Sequence, residues 1–477
     1  MNQKKQLVKN TMIIAIGKLS TQIISYILLP LYTAKLSPAE YGTYDFVCTI
    51  SLFLCPIITL LMEESMFRYL IDANNKEDEK KIISQTIIYT GIGTAIFIPL
   101  AILAMSIASD YNGMFIFAFI AFVVSNILIG LSNALARGLS KIKLYSFSNF
   151  ILGVGTIILN IIFILGFKSG AEGLLWANTI ANTSTAVVIF IMLKLWKYIG
   201  KPNKELMVDM IKYSAPLVPN SISWNIINMS DRIILTSMVS SAANGIYSMA
   251  NKFPNIITVF YSYFNTAWKE SAAKIVKDEN KNKHYNSVYH DTKKLLYAIT
   301  ICLIAVMPFA FPILINSAYD EAYIYIPIVM IATYYSNLSS YFGGIFAAYK
   351  DTKIMGITTV FAAVINLVID LIFVSQLKIY AACISTLIAD VIVYLYRREK
   401  LKKYIKIKEI KWQGPAVILT LICLAYYSKF MPFIPTAAYW IINVISLGIA
   451  VAYSVANNYR IVKTVTIKVK EKLQKNR

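Results

Sequence analysis

The sequence predicts an all-α integral membrane protein with fourteen transmembrane helices, and three observations carry that prediction. Hydrophobic residues make up 57% of the 477 and charged ones only 15%, with mean hydropathy +0.59; soluble domains average roughly 45–50% and about 25%. Apolar runs of about 20 residues, the length that crosses a roughly 30 Å hydrocarbon core, centre near residues 22, 53, 95, 124, 155, 183, 224, 257, 305, 335, 365, 388, 422 and 447. The basic excess, 46 Lys+Arg against 25 Asp+Glu, falls almost wholly between alternate runs. Disordered, fibrous and disulfide-scaffold classes are excluded, because each needs a polar, Gly-repeated or Cys-dense chain.

Span 1 follows Lys4, Lys5 and Lys9 and lacks a small-residue cleavage site, so it is expected to be a retained anchor. The loops after spans 2, 4, 6, 8, 10 and 12, together with both ends of the chain, hold nearly all the bases. The remaining loops hold only Lys35, Lys168, Lys378 and Lys429. By the positive-inside rule both termini are cytoplasmic. The charge excess then reads as topology and attraction to anionic headgroups, not as a nucleic-acid surface.

Several chemistries are disfavoured at this point. No phosphate-cradling G-x-x-x-x-G-K-[ST] loop occurs. The five cysteines lie in apolar runs with no C-x-x-C, and His284 and His290 share one Lys-rich loop, which supports neither a zinc site nor histidine catalysis. The outer loops are too short for an extracytoplasmic active site and the inner ones too small for a glycosyltransferase. A carrier without metal or bound cofactor remains.

Sliding the sequence on itself shows a repeat. At an offset of 203, spans 1 and 2 match spans 7 and 8 through Ser20/Ser223, Ser37/Ser240, Gly42/Gly245 and Tyr44/Tyr247. At 210, spans 4 to 6 match 10 to 12 through Lys143/Lys353, Phe163/Phe373 and Lys168/Lys378. Span n maps onto span n+6, so the halves are parallel repeats. The expected lobes are 1–200 and 201–411, with 412–477 adding two helices and a basic tail.

Leu29-Pro30-Leu31-Tyr32, followed by Leu36-Ser37-Pro38-Ala39-Glu40-Tyr41-Gly42-Thr43-Tyr44, resembles the span 1/2 signature of Wzx-type polysaccharide repeat-unit flippases, members of the multidrug/oligosaccharidyl-lipid/polysaccharide exporter superfamily. Ser230-Asp231-Arg232 and the stretch Gly245 to Lys252 are similar to that family's span 7/8 segment. The resemblance implies a bacterial cytoplasmic-membrane carrier for undecaprenyl-diphosphate-linked oligosaccharides. It also implies two six-helix lobes around a cationic cavity and partners among glycan polymerases and glycosyltransferases. A lipid II flippase or a cation-coupled drug exporter of the same superfamily is the alternative.

Such a substrate needs cations for its diphosphate, polar groups for its sugars and an apolar exit for its chain. An ionisable group inside a span costs at least about 2.5–3.5 kcal/mol on insertion scales, so it faces water or a partner. Lys18, with Gln22 and Ser25 at i+4 and i+7, forms a polar stripe read as cavity lining, the other reading being a Lys18 that snorkels inward to the headgroups without accounting for the rest of the stripe. Span 7 repeats the pattern with Ser221, Asn225, Asn228 and Arg232, and span 8 with Ser248, Lys252, Asn255 and Ser262. Lys18, Arg232 and Lys252 are the diphosphate candidates, although Arg232 reads equally as a structural pair with Asp231 and Lys252 as an outward-snorkelling base. Arg68, expected to pair with Glu64, and Arg137 are candidate entry contacts at the inner surface. Asp370 and Asp390, intramembrane carboxylates, are the candidates for proton or sodium coupling. Tyr334, Tyr335 and Tyr341 read either as sugar-stacking faces or as packing.

Overall fold

A computed structural model describes residues 26, 28–107, 112–198, 200, 203–276, 278–408, 413–459 and 463, except the side chains of 220, 223, 224, 227, 228, 263, 266, 270 and 352. Among them every regular element is helical. Each span centre from residue 53 onward falls inside a helix. Nine described helices are long and apolar enough to cross a membrane. The chain divides into two compact units, Met1–Gly245 and Ile246–Arg477.

Unit 1 opens with α1 (Leu29–Lys35) and α2 (Pro38–Thr59). Ser37 starts α2 through a capping box: its hydroxyl accepts from Glu40 N while the Glu40 carboxylate accepts from Ser37 N at 2.8 Å, and Pro38 supplies a first-turn residue with no N–H to satisfy. α2 stops at Leu60 and Leu61, consecutive left-handed residues at φ 45° and 54°, a conformation costly for side chains with a Cβ. α3 (Met62–Asp72) therefore leaves in a new direction and buries Met62, Met66 and Leu70. α4 (Lys76–Ile107), α5 (Gly113–Gly138), α6 (Ile142–Ile161, ending in the π-turn Ile162–Gly166), α7 (Gly170–Met192), α8 (Lys204–Ser214) and α9 (Leu217–Met238) follow. The end of the unit bearing Lys76, Arg137, Lys141 and Lys194 is its basic end.

α2 meets the start of α10 (Ser241–Ile275) through two glycines. A Cβ on Gly42 would fall 1.7 Å from the Ser241 carbonyl oxygen, and one on Gly245 2.0 Å from that of Pro38. Glycine is the residue that lets these backbones touch. The two are the pair matched at the offset of 203, and both lie within unit 1.

Unit 2 carries the rest of α10, then α11 (Lys281–Leu314), α12 (Ala322–Ala348), α13 (Thr352–Leu377), α14 (Ile379–Leu401), α15 (Gln413–Tyr427) and α16 (Thr436–Asn457). Its core is aromatic: Trp268 stacks on Tyr341 at 4.5 Å and donates to the Tyr341 carbonyl at 3.0 Å, while Tyr341 donates to the Tyr285 carbonyl at 2.8 Å. Tyr334 and Tyr341 are buried, so their rings pack rather than await a ligand. α15 docks on α12 through Tyr426, stacked on Tyr323 at 4.0 Å, and through Tyr427, which donates to the Ile324 carbonyl at 2.8 Å. Asn282, Asn286 and His290, one face of α11, bond the backbone at Lys406 and Lys408 and pin the segment leading to α15. His290 thus has a structural task that its Lys-rich surroundings did not suggest.

Candidate functional site

The predicted residues fall into different settings. Lys18, Gln22 and Ser25 lie outside the described residues, as does the side chain of Asn228. The Arg232 guanidinium pairs with Asp45 on α2 at 2.5 Å, both groups largely buried. Asn244 completes the cluster, donating to the Gly42 carbonyl at 2.9 Å and to the second Asp45 oxygen at 3.4 Å. Asn225 on the same helix face donates to the Leu52 carbonyl at 2.7 Å, and Ser221 is half-buried. The polar stripe of α9 is therefore partly spent on α2.

Arg68 pairs with Asp72 at 2.5 Å, both exposed, and not with Glu64. The break at Leu60–Leu61 makes Glu63 and Glu64 the first turn of a new helix, where carboxylates favour the positive end of its dipole, while Asp72 stands one turn beyond Arg68 on the other side. In unit 2, Lys252 is half-buried, Asn255 exposed, Asp370 fully buried and Asp390 half-buried. Arg397, two turns beyond Asp390, is a buried base that sequence reading passed over. Its guanidinium donates to Thr358 Oγ1 at 2.9 Å, Thr359 Oγ1 at 3.1 Å and the Ser339 carbonyl at 3.2 Å, which ties α12, α13 and α14 together.

Arg137 is placed differently. Its guanidinium sits over Phe67 at 4.9 Å and Tyr145 at 5.9 Å, and its buried Nε has no hydrogen-bond partner among the described residues. From this cation a ladder of amides climbs through unit 1. Asn149 donates to Asn133 Oδ1 at 3.2 Å, Asn182 to Asn126 Oδ1 at 3.1 Å and to Ser125 Oγ at 3.3 Å. At the far end Asn178 donates to the Tyr44 hydroxyl at 3.2 Å and Asn160 to that of Tyr32 at 3.0 Å. Asn160 Oδ1 is buried without a hydrogen-bond partner among the described residues.

The rungs follow from helical spacing. Asn126, Gly130, Asn133 and Arg137 stand at i, i+4, i+7 and i+11 on α5, Asn149, Gly153, Thr156 and Asn160 likewise on α6, and Asn178, Asn182 and Thr185 on α7. Sequence reading weighed polar stripes only where they contained a charge on spans 1, 7 and 8, and so missed three uncharged ones. The signal was present in the same periodicity. Chemically, each amide offers both donor and acceptor, the pairing that sugar hydroxyls and acetamido groups match. The ladder holds one cation and no carboxylate.

Comparison with curated proteins finds no match. Among solved structures, the lipid II flippase MurJ in an inward closed conformation superposes with TM-score 0.72 at 14% identity, covering 94% of this chain and 99% of that one. An inward-facing multidrug resistance MATE family transporter of the MOP superfamily superposes at TM-score 0.62 and 15% identity, covering 82% and 98%. A MATE in complex with MaD3S gives 0.53 and 16%, covering 84% and 96%. At these identities the likeness is one of fold, and it agrees with an all-helical chain carrying membrane-length apolar helices. The family model described as polysaccharide biosynthesis protein matches residues 7–268, more than half of the sequence and all of both motif regions, so the chain belongs to the polysaccharide biosynthesis protein family.

Proposed function

We propose that the protein moves undecaprenyl-diphosphate-linked oligosaccharide repeat units from the cytoplasmic to the outer leaflet of a bacterial cytoplasmic membrane. The amide ladder of unit 1, with Arg137 at its basic end, carries this reading. Neutral amides suit a glycan, a lone cation suits a phosphate, and the lack of any carboxylate on the ladder disfavours a cationic drug. The family match, to polysaccharide biosynthesis proteins, supports this reading.

In this proposal Arg137 is the entry contact, Lys18 and Lys252 hold the diphosphate, and Arg232 enters with its charge already matched by Asp45. The lobes 1–200 and 201–411 rock in alternating access, the termini are cytoplasmic, and 412–477 flanks the second lobe. Asp370 and Asp390 link transport to a proton or sodium gradient. Glycosyltransferases supply the substrate and a polymerase consumes it.

The test is flipping of a lipid-linked oligosaccharide in proteoliposomes by Asn133→Leu and Asn182→Leu variants at matched protein level. Interhelical amide pairs in membranes also act as glue, worth about 0.6 kcal/mol each on average. Thermal unfolding separates the roles: the proposal expects flipping to fall by about five- to tenfold per lost charge-free contact of about 1–1.5 kcal/mol with unfolding little changed. Normal flipping in both variants overturns it.

A further inference from the structure

α5 has a second face. Opposite the ladder, Leu128, Leu131 and Leu135 form one wall of a groove of about 450 Å³, and α4 forms the other. The α4 face is a trough: Ile83, Thr86, Thr90, Gly91, Thr94 and Ile98 line it, at helical spacing and small in the middle. The groove opens sideways, where Ile87 and Leu128 are about 40% exposed. Thr86 returns its hydroxyl to the Ile82 carbonyl at 3.0 Å. Thr90 is 4% exposed and its Oγ1 has no hydrogen-bond partner among the described residues.

Length and charge identify the occupant. Ile83 to Ile98 spans roughly 22 Å at 1.5 Å per residue, whereas one leaflet of a roughly 30 Å core offers about 15 Å. A phospholipid acyl chain reaches about one leaflet deep, which is shorter than this trough. Toward the basic end the same face of α4 continues through Lys80 and Lys76; that turn also carries Glu77, Asp78 and Glu79, of which Glu77 is taken by Lys81 at 3.0 Å, and Leu195, which closes the groove there, follows Lys194. A long chain under an anionic head fits this combination.

We propose that the groove between α4 and α5 docks the polyisoprenyl chain of the diphosphate carrier lipid. The identity of that lipid rests on the function proposed above. The chain lies against α4, its diphosphate at the Lys76/Lys80 end, on the side of α5 away from the ladder. The groove is thus a loading site reached from the bilayer before the glycan is engaged.

The experiment uses the full chain in nanodiscs of phosphatidylethanolamine and phosphatidylglycerol, with a sugar-free polyprenyl diphosphate carrying a photoreactive group in its chain. Crosslinks are mapped by peptide mass spectrometry. Gly91 is the position to fill, because a Cβ there meets nothing within 4 Å and a large side chain enters the trough without moving the backbone. Wild type is expected to label on α4 and α5, Gly91→Phe about tenfold less, since losing burial of two methylenes alone is worth that factor. Added phosphatidylglycerol should not compete. Equal labelling of Gly91→Phe, competition by phosphatidylglycerol as by the polyprenyl probe, or labelling confined to other helices would each overturn the proposal. Binding of a water-soluble short-chain glycosyl diphosphate, read as a thermal shift, tests the head-group reading separately. Its failure in wild type sinks the substrate assignment while the crosslink still reports on the groove.

Discussion

Arg232 shows what a single sequence can and cannot disclose about a charged residue in a membrane. Its place on a polar face of span 7 was legible from the four-residue spacing alone. Its partner was not, because Asp45 lies 187 positions earlier on another span. Removing one member of a buried pair leaves the other charge stranded, typically at 3–5 kcal/mol. Asp45→Asn should therefore lower the unfolding midpoint sharply, and the double variant Asp45→Asn/Arg232→Gln should recover much of the loss; unfolding of the purified protein in detergent checks both. Lys18 invites a different measurement. If it holds the diphosphate, Lys18→Gln weakens substrate binding by roughly 10- to 100-fold, the worth of a charge-assisted contact of about 1.5–3 kcal/mol, while Lys18→Arg keeps most of it. Full transport by Lys18→Gln at matched membrane level would remove it from the site.

At the scale of elements, helix positions were legible because apolar runs in a membrane must be about 20 residues long. Contacts between helices were not. Gly42 and Gly245 match each other as a repeat, yet nothing in one sequence says that repeat mates touch. Their contact predicts that Gly245→Ala, an innocuous change in most helices, forces α2 and α10 apart, since the obstacle is a backbone oxygen and no side chain can swing away. Overpacking of this kind costs typically 1–3 kcal/mol, and a drop in thermal stability with normal membrane insertion is the expected result. Tyr341 makes the complementary point. Composition offers its ring to a sugar, but only packing shows it taken by Trp268. The asparagines of α5, α6 and α7 follow the same periodicity as the charged stripes, but a neutral amide can satisfy itself on a carbonyl of its own helix, as Asn149 does on Tyr145 and Asn178 on Leu174, so its presence alone names no site.

For the whole molecule, charge placement predicts that every even-numbered loop faces the cytoplasm. Single-cysteine labelling of intact cells should mark Asn316→Cys and spare a cysteine introduced at Asn280 in the loop after span 8; the reverse pattern would invert the topology. Coupling is tested on the same scale: Asp370→Asn or Asp390→Asn should lose gradient-driven transport while still binding substrate, and unaltered gradient dependence in both variants would take these carboxylates out of the mechanism. The units also bear on how the protein is made. The boundary after Gly245 means that α2 has its full set of neighbours only once the start of α10 has been synthesised. At about 5–20 residues per second, the 187 residues between Asp45 and Arg232 take roughly 10–40 s to emerge. For that interval the nascent first repeat holds an acid without its base, which makes the delay between these two residues the window in which membrane quality control meets an unfinished chain.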